Sequence, residues 1–175
     1  MAQKRGGITT QQKQQAAQAL AEYAQRTPEI FRENVVALFS PIKDEIDITP
    51  VYQALLPVAS VLSLPCVTPQ KTMVFKAWDG LHQTPDAMNI PTGTGDEVTP
   101  DVVLVPFLAF NRAGHRLGYG AGFYDKTLAL LPAVRTIGLG FSWQEFTDLP
   151  VEPHDVPLNE IWTEKERIYA RQDQQ

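Results

Sequence analysis

The segment GHRLGYGAGFYD, residues 114–125, is the part of this 175-residue chain that is richest in potential chemistry. Gly118, Gly120 and Gly122 alternate directly after an apolar run and before a segment with a helical pattern. Closely spaced glycines can adopt positive φ and let an anion approach the backbone N–H groups, so the pattern favours a phosphate-binding loop. The spacing is GxGxG, which matches neither the dinucleotide fingerprint nor the P-loop. A tight strand-to-helix turn without a ligand explains the glycines about equally well.

Charged residues beside this loop favour the phosphate interpretation. Arg116 could donate two parallel hydrogen bonds to a phosphate group, and Asp125 offers a hard oxygen ligand of the kind that Mg²⁺ prefers. Asp155 could complete a divalent-cation site with Asp125 if the fold brings the two together. The commoner role for an aspartate at the start of a helix is to cap it, and that alternative stays open for Asp125.

A second candidate lies in the acidic segment KDEID, which follows a predicted strand. Glu45 could orient a substrate amide or stabilise a developing positive charge there, although a solvated acidic loop is the commoner outcome for such runs. Three aromatic residues, Trp78, Trp143 and Tyr124, could stack on a planar ligand ring or simply belong to the core.

The elements that must position these residues alternate between strands and helices. Apolar runs of strand type cover residues 35–39, 58–64 (ended by Pro65), 73–78, 101–110 and 134–141, and helical patterns cover residues 10–25, 49–56 and 126–131. The segment 82–100 is rich in Pro, Gly, Thr and Asp, which predicts an irregular loop. This alternation predicts an α/β protein: a single three-layer domain with a mostly parallel central sheet flanked by helices, and ligands at the carboxyl ends of the strands.

Composition excludes several classes of protein. The hydrophobic content of 43% in 175 residues fits one domain spanning residues 1–175, with flexible ends at 1–9 and 168–175. A net charge of −5 without a basic stripe argues against nucleic acid as a partner. The apolar runs are too short to span a membrane, and no secretory signal is visible, so we expect a cytoplasmic protein, monomeric, without a membrane partner. A single cysteine excludes an internal disulfide.

Taken in order, the motifs resemble those of the 5-formyltetrahydrofolate cyclo-ligase family, whose members are also called methenyltetrahydrofolate synthetases. The segments that carry the resemblance span roughly residues 35–165 and are DEID, MNIP, VPFLAFNRAGHRLGYGAGFYDKTL, IGLGFSWQ and PHDVPLNEIWTE. The resemblance implies an α/β enzyme that uses ATP and Mg²⁺ to convert 5-formyltetrahydrofolate to 5,10-methenyltetrahydrofolate, with ADP and phosphate as products.

The resemblance also implies a role for particular residues. Catalytic roles fall to Glu45, Arg116 and Tyr124. The residues implied at the nucleotide are Arg116, Gly118, Tyr119, Gly120, Ala121, Gly122, Phe123, Tyr124 and Asp125. Those implied at the folate are Glu45, Met88, Asn89, Ile90 and Phe123, and those near Mg²⁺ are Asp125 and Asp155.

The implied chemistry needs little covalent work from side chains. A formamide oxygen is a weak nucleophile, so the enzyme must align it with the γ-phosphate and offset the phosphate charge. Phosphorylation turns the formyl oxygen into a leaving group, after which N10 of the folate attacks the same carbon and closes the ring.

Two departures from the family pattern leave an alternative open. Members usually begin with a further basic helix, whereas only Lys4 and Arg5 precede the first predicted helix here, and Thr92-Gly93 replaces a Glu-Pro or Gln-Pro pair, which we expect to loosen that loop. The alternative is a non-catalytic paralogue that binds nucleotide or folate. A dinucleotide-dependent oxidoreductase is disfavoured by the GxGxG spacing.

Overall fold

A twisted sheet of eight strands forms the centre of the protein, and a computed structural model describes residues 7–170. Two separate hairpins pair β4 (Gln83–Pro85) with β5 (Pro91–Gly93), and β8 (Ala109–Phe110) with β9 (Arg116–Leu117). The main sheet has the spatial order β12 (Arg167–Tyr169), β11 (Glu160–Trp162), β10 (Arg135–Leu139), β7 (Val102–Pro106), β1 (Val35–Ala37), β2 (Val61–Val67), β3 (Met73–Trp78) and β6 (Glu97–Val98).

The five inner strands of this sheet, from β11 to β2, run parallel to one another. The strands β12, β3 and β6 are antiparallel to their neighbours and lie toward the edges. The mostly parallel sheet confirms the predicted α/β class. No helix within residues 7–170 is long and apolar enough to span a membrane.

Helices cover both faces of the sheet. On one face, α1 (Thr10–Arg26) packs against α2 (Thr49–Leu55), and both bury apolar side chains in a shared core cluster with the sheet. On the other face, α3 (Phe123–Ala129) contributes Leu128 to a second core cluster. Thr9 and Gln12 form a capping box that starts α1. The helices and the sheet therefore form three layers.

Strand β7 shows why the sequences of the central strands are continuous apolar runs. Val102 and Leu104 face the first core cluster, whereas Val103 and Val105 face the second, and all four are buried. A parallel strand with helices on both faces needs apolar side chains on both faces. Each such side chain contributes about 1.5–3 kcal/mol through burial.

The chain reverses its direction across the sheet between β1 and β7. From β1 it moves outward to β2 and the antiparallel edge, then returns to the other side of β1 and continues through β7, β10 and β11. Loops that leave the carboxyl ends of β1 and β7 therefore diverge. In open α/β sheets such a divergence forms the crevice where ligands bind.

The second predicted strand is displaced from its observed position. Residues 58–64 were predicted and Val61–Val67 is observed, so Pro65 lies inside the strand rather than ending it. The pairing of β2 with β1 ends at Ser63, and beyond that residue β2 has only the antiparallel neighbour β3. A proline is tolerated where one side of a strand has no partner, because its missing N–H costs no ladder bond there.

Two further predictions about the elements were wrong. The segment 82–100 is not irregular throughout, because it contains β4, β5 and β6. The run 101–110 is not one strand, since β7 ends at Pro106 and β8 belongs to a separate hairpin with β9. Strands β11 and β12 were not predicted at all.

Two residues that the sequence assigned to flexible ends belong to regular elements or their caps. Thr9 caps α1, and Ile168 is buried within β12, although both fell in the expected flexible ends. The remainder of those ends, residues 1–6 and 171–175, lies outside the described residues.

A buried carboxylate joins the three strands at one side of the sheet. Glu160 of β11 accepts hydrogen bonds from Arg135 of β10, from Arg167 of β12 and from the indole N–H of Trp162. Its side chain is 3% exposed. Burial alone would raise its pKa, but these hydrogen bonds favour the ionised form and hold the pKa below the ordinary 4.5.

We predict that Glu160→Gln lowers the free energy of unfolding by about 3 kcal/mol near neutral pH, because two arginines lose their buried counter-charge. The lowered pKa means that the ionised group stabilises the fold above pH 4.5, and that this stabilisation is lost as the pH falls toward the folded-state pKa. Urea unfolding measured between about pH 7 and pH 4 should show that the free energies of unfolding of Glu160→Gln and wild type become more similar as the pH falls. Glu97→Gln, at an exposed glutamate in β6, is the control and should track wild type.

Candidate functional site

A cavity of about 480 Å³ opens at the carboxyl ends of β1, β2 and β7. Phe39 and Ser40, just past β1, line it together with Val67 at the end of β2 and Phe107 just past β7. The cavity therefore occupies the crevice that the reversal between β1 and β7 creates.

The glycine-rich loop forms one wall of this cavity, and residues 116–125 all line it. Gly120 and Gly122 have φ values of +93° and +69°, which side chains rarely permit, so the loop path depends on glycine at these positions. A β-carbon built on Gly118 or Gly120 would meet no atom within 4 Å, so their backbone faces open space. The wall predicted to receive phosphate is therefore accessible backbone.

Arg116 fixes the base of this wall instead of projecting freely into the cavity. Its guanidinium donates to the carbonyl oxygen of Val156 at 2.7 Å and to Oδ1 of Asp125 at 3.0 Å, and its side chain is 6% exposed. The N–H of Val156 also donates to Oδ1 of Asp125, at 3.0 Å. The arginine, the aspartate and the segment around Val156 thus form one hydrogen-bonded cluster.

The two predicted metal ligands, Asp125 and Asp155, both line the cavity. Within residues 7–170 no group of three or more His, Cys, Asp or Glu side chains is arranged to hold a metal ion by itself. The described hydrogen bonds to Asp125 both end on Oδ1, and none of the described residues donates to Oδ2. Such a donor set fits a magnesium ion carried on substrate phosphates, since Mg²⁺ commonly takes only one or two protein carboxylates there.

Glu45 lines the cavity from the loop that follows β1. One carboxylate oxygen accepts a hydrogen bond from the N–H of Ile42 at 3.0 Å. Burial raises the pKa of Glu45 to about 7, against the smaller lowering effect of that hydrogen bond. The pKa of Tyr124 is also raised, by burial and by the nearby charge of Glu45, with Arg116 opposing. Of the three residues predicted to be catalytic, Tyr124 therefore lies within electrostatic reach of both Glu45 and Arg116.

The predicted folate-binding residues are only partly brought together. Met88, Ile90 and Phe123 line the cavity, whereas Asn89 is not among its described lining residues. Met88 and Ile90 are held by Asp86, whose carboxylate accepts hydrogen bonds from their N–H groups and from that of Val67. This turn docks the β4–β5 hairpin onto the end of β2.

Sequence reasoning missed the side chains that give the cavity its apolar surface and its shape. Phe39, Met73 and Phe107 line it, and Asp86 fixes the hairpin turn. The adjacent Pro85-Asp86 pair was a turn signal in the sequence. For the three apolar residues, no feature of the local sequence distinguished a side chain that lines a cavity from one that is buried in the core.

Two of the three aromatic residues proposed to stack on a ligand pack inside the protein. Trp78 meets Tyr52 edge to face at 5.0 Å between ring centroids, and Trp143 stacks on Phe141 at 5.8 Å. Neither indole lines the 480 Å³ cavity, whereas Tyr124 does.

The Thr92-Gly93 pair does not loosen its loop as expected. Thr92 is buried, and both residues belong to β5. A β-carbon on Gly93 would collide with the carbonyl oxygens of Ala77 and Lys76. The glycine allows β5 to lie directly against the backbone of β3, which makes this part of the hairpin tightly packed.

Comparison with known proteins identifies the family of this fold and site. The model of the 5-formyltetrahydrofolate cyclo-ligase family matches residues 1–164. The chain belongs to the 5-formyltetrahydrofolate cyclo-ligase family. The resemblance inferred from its motifs is thereby confirmed.

Relatives and solved structures agree with this assignment. The 5-formyltetrahydrofolate cyclo-ligase of Escherichia coli K12 is 30% identical over 172 residues, covering 92% of this chain and 94% of that protein. The corresponding protein of Haemophilus influenzae is also 30% identical and covers 90% of both chains. A solved 5,10-methenyltetrahydrofolate synthetase from Aquifex aeolicus superposes with a TM-score of 0.78 at 27% identity, covering 99% of this chain and 90% of that one. One from Mycoplasma pneumoniae gives 0.72 at 25% identity and covers 93% of both.

The raised pKa of Glu45 predicts a pH dependence of stability. The folded-state pKa of about 7 exceeds the ordinary 4.5, so the fold favours the protonated carboxyl of Glu45. The stabilisation of the fold by this protonated form is complete below pH 4.5 and is lost as the pH rises through 7. After allowance for partial exposure, the loss is about 1–2 kcal/mol. Glu45→Gln should therefore be more stable than wild type at about pH 8 and gain little at about pH 5, as measured by chemical unfolding.

The matched control is Glu29→Gln, at an exposed glutamate outside the cavity. If Glu45→Gln and Glu29→Gln gave parallel stability curves across this pH range, the carboxyl of Glu45 would not be the desolvated group described above.

Proposed function

We propose that this protein converts 5-formyltetrahydrofolate to 5,10-methenyltetrahydrofolate at the expense of ATP. The observation that carries the proposal is a single cavity whose walls suit two different ligands. The glycine-rich loop offers accessible backbone to phosphates, and Glu45 and apolar side chains at the turn of the β4–β5 hairpin line other parts of the same cavity. A reaction that transfers a phosphoryl group from a nucleotide to a folate needs both binding surfaces to face one space.

The charges in the cavity indicate how phosphate would be accommodated. Glu45, Asp125 and Asp155 line it, and the guanidinium of Arg116 is already paired with Asp125. Backbone N–H groups of the glycine-rich loop would therefore carry much of the direct contact with phosphate oxygens. Magnesium, when bound with ATP, would neutralise phosphate charge, with Asp125 and Asp155 as the residues placed to hold it.

The chemistry that we propose is a phosphoryl transfer followed by ring closure. The formyl oxygen attacks the γ-phosphorus, the bond from that phosphorus to the bridging oxygen of ATP breaks, and ADP leaves. N10 then attacks the formyl carbon, and the carbon–oxygen bond breaks to release inorganic phosphate together with the N10 proton. Glu45 acts by orienting the formyl-bearing part of the folate, and Tyr124 packs beside it.

The direct test is a turnover assay. Mixing the protein with ATP, Mg²⁺ and 5-formyltetrahydrofolate should produce the absorbance of methenyltetrahydrofolate in an ATP-dependent manner. Binding of ATP or folate by calorimetry without any turnover at high protein concentration would contradict the proposal and favour the non-catalytic alternative.

The phosphate-binding loop makes a sharper prediction at Gly118. This residue does not have a positive φ, and an added β-carbon would meet nothing within 4 Å, so Gly118→Ala should leave the thermal midpoint unchanged. If phosphate approaches this backbone, the methyl group will obstruct it and ATP affinity will fall by about tenfold, which corresponds to 1.4 kcal/mol.

The control for this substitution is Gly7→Ala. Gly7 also has open space around its α-carbon but lies outside the cavity. Equal ATP affinities for the two variants, measured by calorimetry, would reject the loop as the phosphate site.

A fourth prediction concerns Asp125. Asn retains an acceptor for Arg116 and for the N–H of Val156, so Asp125→Asn should keep the fold, at a cost in stability because the buried guanidinium of Arg116 loses its counter-charge. A neutral amide is a poorer ligand for a hard cation, and we expect the Mg²⁺ concentration for half-maximal turnover to rise by about tenfold. Folate affinity should stay unchanged. Asp148→Asn, at an exposed aspartate outside the cavity, is the control, and an Asp125 variant that matched it at limiting Mg²⁺ would contradict this role.

A further inference from the structure

A lysine and a tyrosine connect two loops that line the cavity, the loop after β1 and the glycine-rich loop. The ammonium group of Lys43 lies over the ring of Tyr119, 4.7 Å from the ring centroid. Lys43 belongs to the loop after β1, two residues before Glu45. Tyr119 lies in the glycine-rich loop between Gly118 and Gly120. The contact therefore links the wall that carries the carboxylate to the wall proposed to bind phosphate.

The contact with Tyr119 is the described interaction of the Lys43 ammonium group. No carboxylate within residues 7–170 lies within 4.0 Å of its ammonium group, and the neighbouring Asp44 pairs instead with Lys13 of α1, at 3.7 Å. Lys43 has a φ of +52°, a conformation that lysine seldom adopts and that its surroundings must maintain. A cation held over an aromatic face is attracted by the negative face of the ring quadrupole.

The backbone on the other side of the contact has little rigidity of its own. Gly118 and Gly120 flank Tyr119, and Gly120 has a positive φ. Glycine restricts the backbone less than any other residue, so the contact of the Tyr119 side chain with Lys43 contributes to the position of this loop. A small second cavity beside the contact is lined by Asp44, Glu45 and Tyr119. Movement of Tyr119 would therefore open space directly against Glu45.

We infer that Lys43 is a positioning residue that holds the glycine-rich loop at a fixed distance from Glu45. This inference rests on the proposed function, in which a phosphate on one loop must meet a formyl oxygen oriented from the other. Phosphoryl transfer depends strongly on the alignment of its reacting atoms. Each ligand can bind its own wall without the contact, but their mutual alignment depends on it.

The inference predicts an effect on turnover rather than on the binding of either ligand alone. A cation–π contact at an exposed site corresponds to about a two- to fivefold change in an equilibrium or rate. Lys43→Met keeps most of the aliphatic stem and removes the charge, so kcat should fall by about that factor or more. The dissociation constants for ATP alone and for folate alone should change by less than about twofold. Lys43→Arg should restore most of kcat, since a guanidinium also stacks on an aromatic ring.

The control variant is Lys71→Met. Lys71 is an exposed lysine with a φ of +60°, so the same substitution is made in the same backbone conformation but outside the cavity. Any effect of charge loss or of backbone strain should appear in both variants, and only loss of the contact with Tyr119 is particular to Lys43.

The experiment compares wild type, Lys43→Met, Lys43→Arg, Lys71→Met, Tyr119→Leu and the Lys43→Met, Tyr119→Leu double variant in steady-state kinetics and in single-ligand calorimetry. The expected result is that the Lys43→Met and Tyr119→Leu effects on kcat are not additive, because each removes the same contact. Additive effects, or a Lys43→Met variant equal to Lys71→Met, would overturn the inference while leaving the proposed function standing. A wild-type protein without turnover would overturn both.

Discussion

The reversal of the chain between β1 and β7 is the constraint on which the whole site depends. Parallel strands direct all their carboxyl ends to one edge of the sheet, and at this point the loops that follow must separate to opposite sides. Glu45 leaves with the loop after β1, while the chain after β7 leads through the β8–β9 hairpin into the glycine-rich loop. Residues far apart in the sequence thereby face one cavity.

Carboxylates at the two ends of the parallel strands lie in different electrostatic surroundings. At the amino ends of the parallel strands, Glu160 is buried among Arg135 and Arg167, and its charge is fully engaged in joining three strands. At the carboxyl ends, Glu45 lacks such a partner and its pKa is raised to about 7. The same type of side chain thus stabilises the sheet in one place and remains available for a ligand in the other.

Sequence reasoning located residues that line the cavity better than it located the edges of the fold. The glycine-rich loop and Glu45 were predictable because glycine spacing and an acidic loop after an apolar strand carry local signals, and residues 116–125 do line the cavity. Strands β11 and β12 were missed because they are only three residues long and contain the charged residues Glu160 and Arg167, which pair with each other across the two strands. The displaced position of β2 followed from treating Pro65 as a strand end, which holds only for a strand with partners on both sides. The pairing of Arg116 with Asp125 is a tertiary contact, and no pattern in the sequence indicated it.

The central claim is that the formyl oxygen and the γ-phosphate meet in this one cavity, and an isotope experiment tests it most directly. 5-Formyltetrahydrofolate labelled with oxygen-18 in its formyl group would be converted by the protein with unlabelled ATP in unlabelled water. Direct phosphorylation of the formyl oxygen predicts that each molecule of inorganic phosphate released carries one labelled oxygen, detectable by mass spectrometry. Unlabelled phosphate, with the label recovered in water, would contradict the account.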